Sequence, residues 1–134
     1  MEKNSLTEVF TTANSKKNLV HGLVKLAYAD NQVDTAEIQI VQEIALQIGF
    51  RQDLPSQQEV GETKLLFDNR IQEEYFFKEA IRLAVIDEHY SENEREFLKS
   101  LSASFGWSKD DFSKLEADQE DLHWLKHTQS IELD

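Results

Sequence analysis

Two short stretches of the sequence carry acidic residues at a spacing that could hold a metal ion. The first stretch contains Asp30, Asp34 and Glu37, and the second contains Asp87 and Glu94. Carboxylate oxygens are the ligands that hard divalent cations such as Ca²⁺ and Mg²⁺ prefer. The spacing does not match that of the EF-hand calcium loop. We take these five acids as candidate metal ligands and expect the first stretch, with its three acids, to bind better.

The two stretches are copies of one pattern. Glu37 and Glu94 lie 57 residues apart (94 − 37), and the same shift relates Gly49 to Gly106. An acid at a helix end, a capping residue and a Glu three residues later are kept in both copies. A hydrophobic core can be rebuilt from many sequences. The retained acids are therefore the first place to look for function.

Helix signals place these acids at the ends of helices. Apolar residues recur at helical spacing in each copy, and only four Gly and one Pro are available for tight turns. The sequence therefore predicts an all-α fold of about seven helices. We expect two helix–loop–helix repeats, at about residues 15–50 and 72–107, related by a pseudo-twofold axis. Residues 1–134 are predicted to form a single domain.

Capping residues predict where several helices begin. Ser15 is expected to cap the first long helix. A further helix is predicted between the two repeats, capped by Asp53 or Ser56 and running to about Asn69. The last helix is expected to begin at Ser108, with a break around residues 117–121.

The repeated acids also have an explanation that involves no metal. In each copy the Glu follows a capping residue, Asp34 or Ser91, by three positions, which is a capping box worth about 0.5–2 kcal/mol. Asp30 and Asp87 fall in the last turn of a helix, where a carboxylate costs about 0.3–1 kcal/mol because it faces the negative end of the dipole. Each could accept backbone N–H groups of its loop or contact a cation. Both explanations remain open at this point.

Charge narrows the range of partners. The chain has 14 Lys and Arg residues against 26 Asp and Glu residues, a formal charge of −12. Such a surface repels the phosphates of nucleic acids and anionic lipids, so no nucleic acid is expected. Cations and basic protein partners are the natural counterparts.

Several other classes of protein are disfavoured by composition. Cysteine is absent, which excludes disulfides and cysteine nucleophiles and is compatible with a cytoplasmic location. No apolar run reaches the roughly 18 residues that a membrane-spanning helix needs, so no membrane insertion is expected. There is neither a Gly-rich phosphate loop nor a serine nucleophile motif, so we do not expect an enzyme.

With these residues in view, the chain resembles the TerB-like family, which includes tellurite-resistance TerB and a domain of DjlA-type co-chaperones. The resemblance is carried by the segments 26–30, 33–37 and 48–49, with a second copy at 86–94. It implies a helical bundle whose repeated acids chelate a divalent metal, in stress-response or membrane-linked assemblies without known catalysis. Asn31 and Glu88 stand where the family usually has a turn glycine.

These observations lead to two predictions of function. The first is a non-enzymatic, cytoplasmic, acidic helical module that binds a divalent cation, Ca²⁺ or Mg²⁺, through both loops. It would serve as a docking or scaffold domain for a protein partner in a tellurite-resistance-like stress-response assembly. The alternative is a pure protein-interaction domain of the co-chaperone kind, in which the repeated acids only cap helices and turns.

Overall fold

The computed structural model describes residues 5–29, 35–86 and 90–120. Across these residues the chain forms seven helices and no strand, which confirms the predicted all-α class. The helices are α1 (Ser5–Val9), α2 (Ala13–Ala27), α3 (Thr35–Gln47), α4 (Gln57–Glu62), α5 (Arg70–Ile86), α6 (Glu92–Ser104) and α7 (109–120).

The chain divides into two compact units, Met1–Phe76 and Phe77–Asp134. We call them unit 1 and unit 2. Their boundary falls inside α5, so this helix contributes residues to both units. In unit 1, α2 packs against α3 and α4. That residues 1–134 form one domain stays a prediction.

The core of unit 1 contains three aromatic rings. The ring centroid of Phe67 lies 6.1 Å from that of Phe10 and 5.1 Å from that of Phe76. Phe76 also lies against the backbone of α2 at Gly22, where a Cβ atom would come within 2.9 Å of the ring Cζ and closer still to Cε1. Only glycine leaves enough space for this contact.

The core of unit 2 is built around Phe77. Its ring centroid lies 5.0 Å from that of Trp107 and 6.0 Å from those of Phe105 and Phe112. Trp107 is buried. Edge-to-face rings of this kind add to the stabilisation from burial by about 0.5–1.5 kcal/mol for a pair.

Two of the predicted helix boundaries are wrong, and most of one predicted break is helical. Thr12, and not Ser15, caps α2: its hydroxyl accepts from the Ser15 N–H (3.0 Å), and Ser15 Oγ accepts from the Thr12 N–H (3.1 Å). Of the two candidate caps of the next helix, Ser56 forms the capping box, but the helix ends at Glu62 instead of near residue 69. The break predicted around residues 117–121 does not occur at residues 117–120, which are helical, and residue 121 lies outside the described residues.

The helices α3 and α6 have matching lengths and matching C-terminal ends. Both helices have 13 residues, and their first and last residues are related by the shift of 57. Each is followed by a glycine with positive φ, 81° at Gly49 and 89° at Gly106. The next amide, of Phe50 or Trp107, then donates to the carbonyl five residues earlier, at 2.8 Å and 3.0 Å. These are two Schellman-type ends. The pseudo-twofold axis stays a prediction.

Candidate functional site

Two of the five predicted metal ligands lie in the described part of the chain. Glu37 and Glu94 occupy matching places in the first turns of α3 and α6, and both side chains are buried, with exposed fractions of 4% and 2%. Asp30, Asp34 and Asp87 lie outside the described residues. Within 5–29, 35–86 and 90–120, no group of three or more His, Cys, Asp or Glu residues could hold a metal ion. The metal site therefore stays a prediction.

Glu94 forms the capping box that its spacing from Ser91 indicates. Glu94 Oε1 accepts from the Ser91 N–H at 2.9 Å, and Ser91 Oγ accepts from the Glu94 N–H at 3.1 Å. Two backbone donors that the helix cannot satisfy itself are thereby satisfied. The carboxylate also lies at the positive end of the helix dipole, which favours its charge. Capping thus accounts for the position of Glu94.

A second acid of unit 2, Glu116 on α7, holds α6 in place. Its carboxylate accepts from Arg95 on α6, with Nε–Oε2 at 2.9 Å and a second guanidinium nitrogen, Nη2, 3.0 Å from Oε1. The Tyr90 hydroxyl donates to Oε2 at 2.6 Å. The bidentate Arg95–Glu116 pair attaches α6 to α7. The Tyr90 hydrogen bond attaches the residue just before the Ser91 cap to the same carboxylate.

The same cluster raises the pKa values of Tyr90 and Arg95. Burial, followed by the hydrogen bond to Glu116, raises the pKa of Tyr90 well above its ordinary value. The hydrogen bond to Glu116 also raises the pKa of Arg95. Tyr90 and Arg95 therefore keep their protons at neutral pH, which suits a structural clamp. Sequence reasoning missed this cluster.

In unit 1, polar side chains along α2 hold the segment that follows α4. Lys25 Nζ donates to the Thr63 carbonyl at 3.1 Å. Asn18 Oδ1 accepts from the Leu66 N–H at 3.3 Å. His21 Nδ1 lies 3.4 Å from Thr63 Oγ1. These three residues of α2 are spaced three and four positions apart, so they share one face of the helix.

His21 is buried on this face, with an exposed fraction of 7%. Burial lowers its pKa below the ordinary value of 6.5; Lys17 lowers it further, and Glu59 opposes the shift. The neutral imidazole is therefore the favoured form near neutral pH.

The described residues define a class, an all-α protein in which Glu37 and Glu94 lie buried in the first turns of two helices. Within that class, residues 4–57 match the family model of Tellurite resistance protein TerB. The match covers α1 to α3 and supports a TerB-like family for this segment, which confirms the predicted resemblance there. It ends before the second copy.

No curated protein and no solved structure matched the chain. Among the described residues, no helix is both long and apolar enough to cross a membrane.

Proposed function

We propose that this protein is a non-enzymatic helical binding module whose first loop, Asp30–Glu37, binds a divalent cation while its second loop, Asp87–Glu94, is structural. The TerB-like segment supports a place in a stress-response assembly of the tellurite-resistance kind. The net charge of −12 favours a basic protein as the docking partner.

The observation that carries this proposal is the capping box of the second copy. There Ser91 and Glu94 exchange hydrogen bonds, so both groups take part in helix capping. In the first copy the place of Ser91 is taken by an acid, Asp34, which gives that loop three carboxylates. Three side chains with backbone carbonyls and water approach the oxygen coordination that Ca²⁺ takes, about six to eight ligands.

A second candidate is a protein-interaction domain that binds no cation. The box at Glu94 favours it, because Asp34 is also a good capping residue and can form the same box with Glu37. Both candidates share the same fold and the same acidic surface. They differ in one measurable property, which is saturable binding of a divalent cation.

Titration with Ca²⁺, Mg²⁺, Zn²⁺ and Mn²⁺ separates them. With calorimetry, and with amide shifts for the diamagnetic ions, we expect saturable binding below about 1 mM and shifts concentrated at the start of α3. Asp30→Asn should abolish binding, whereas the matched change Asp87→Asn should leave it intact. Equal losses in the two variants would contradict the assignment to the first loop. No saturable change in the wild-type protein would leave the interaction domain as the function.

A further inference from the structure

Residues 63–67, which follow α4 and belong to no helix, are attached to α2 by side chains. We call this segment the strap. Leu65 and Phe67 point into the core of unit 1, while Lys64 and Leu66 are exposed. Asn18 and Lys25 of α2 bind strap backbone groups. Side chains of α2 therefore satisfy backbone groups of the strap that in a β-sheet would pair with a neighbouring strand.

The tautomer of His21 follows from the hydrogen bonds of Thr63. The Thr63 hydroxyl has one proton and donates it to the Glu59 carbonyl at 2.7 Å. Its oxygen can then only accept from His21 Nδ1 at 3.4 Å. Nδ1 must carry the proton, and Nε2 of the neutral ring is the atom that binds a second proton.

We propose that the strap is closed over α2 at neutral pH and opens when His21 takes up a proton. Protonation puts a cation into a buried site, which is unfavourable unless water or an anion solvates it. Lys17 on α2 repels that cation, and the ammonium of Lys25, one turn further on, is held at the Thr63 carbonyl of the strap. On α4, Glu59 is the opposing charge, and on the strap itself Lys64 is exposed.

Opening of the strap solvates the imidazolium and has a further consequence. Release of the Thr63 and Leu66 contacts lifts Leu65 out of the core and exposes its side chain beside Leu66, which is already exposed. An apolar surface then forms in acid that is absent at neutral pH. Contiguous apolar surface of this kind is typical of sites that bind other proteins.

The direction of the pH dependence follows from linkage. The pKa of His21 is lower with the strap closed than with it open, so the open form binds more protons as the pH falls. The closed form is fully favoured above about 6.5, and it loses that advantage as the pH falls through 6.5 towards the closed-form pKa. Each pH unit in this window changes the opening equilibrium by up to about tenfold.

Hydrogen exchange at the Leu66 amide measures this opening directly, because that amide donates to Asn18. We compare protection factors at pH 7.5 and below pH 6, corrected for intrinsic exchange, without added metal ions. In the wild-type protein the protection factor of the Leu66 amide should be lower below pH 6 than at pH 7.5. That of the Leu23 amide in α2 should stay high at both pH values. In His21→Asn, whose amide can still donate to Thr63, the protection should not depend on pH.

Two charge variants test the proposal even if His21→Asn fails to fold. Lys17→Gln removes the repulsion and should shift the pH midpoint of Leu66 exposure upwards. Glu59→Gln removes the opposing acid and should shift it downwards, while Gln still completes the capping box with Ser56. The proposal is overturned if Leu66 protection is the same at both pH values, or if the two midpoints do not move in opposite directions.

Discussion

Glu94 lies at the start of α6, where its carboxylate and the Ser91 hydroxyl each accept from the other residue's backbone N–H. The side chain is almost fully buried, so its charge needs these donors and the helix dipole. An acid that is retained in a duplicated sequence can therefore be retained for folding. Retention alone does not identify a ligand.

Replacement of Ser91 tests this structural role. Ser91→Ala removes the hydroxyl that accepts from the Glu94 N–H, and we expect a loss of about 1 kcal/mol in the free energy of unfolding. Urea denaturation of the purified protein measures the change. Glu94→Gln is the matched control, because Gln also completes the box. An unchanged free energy of unfolding in Ser91→Ala would show that the cap contributes little to stability.

Local spacing is what made part of the site predictable. Ser91 and Glu94 are three residues apart, and a capping box involves no other part of the chain. The Arg95–Glu116 pair joins residues 21 positions apart, and Asn18 reaches Leu66 across 48 positions. Nothing in the local sequence marks such partners, because tertiary packing selects them.

At the scale of the helices, unit 1 depends on how closely α2 approaches Phe76. Gly22 lies inside α2, where glycine costs up to about 1 kcal/mol relative to alanine. That cost is offset by the contact with the buried ring. Gly61, in α4, has open space around it and makes no comparable contact. A side chain at position 22 would therefore clash with Phe76, whereas one at position 61 would meet no other residue.

The same substitution at these two sites should have opposite effects. Gly22→Ala drives a methyl group into Phe76, and overpacking of about 1–3 kcal/mol outweighs the better helix propensity. Gly61→Ala should raise stability by up to about 1 kcal/mol. Thermal unfolding of both variants measures the difference. Changes in the same direction would contradict the close approach of α2 to Phe76.

The existence of the helices followed from periodicity, but their ends often did not. Leu65, Leu66 and Phe67 form an apolar run that suits a helix or an extended segment equally well. In the structure the run belongs to no helix, and Asn18 of α2 accepts from its Leu66 N–H. α3 and α6 were easier to delimit, because a glycine with positive φ follows each of them.

At the scale of the whole molecule, charge is the dominant property. The net charge of −12 on 134 residues means that folding brings like charges closer together than they are in the unfolded chain. Dissolved salt weakens this repulsion, since the screening length falls to about 10 Å at 0.1 M ionic strength.

We therefore expect the melting temperature to rise between low salt and about 0.15 M NaCl. Differential scanning calorimetry at constant pH and without divalent ions provides the measurement. Sucrose at the same osmolality serves as the control, because it does not screen charge. A melting temperature that falls with NaCl would mean that favourable ion pairs outweigh the net repulsion.

The contact between Phe76 and Gly22 has a dynamic consequence. The ring is fully buried, lies against α2 on one side and has the ring of Phe67 at 5.1 Å. A half-turn of the ring requires its neighbours to move apart, because protein interiors are close-packed. We expect separate NMR signals for the two edges of this ring. The rate at which these signals exchange would measure how often the core of unit 1 expands enough for the ring to flip.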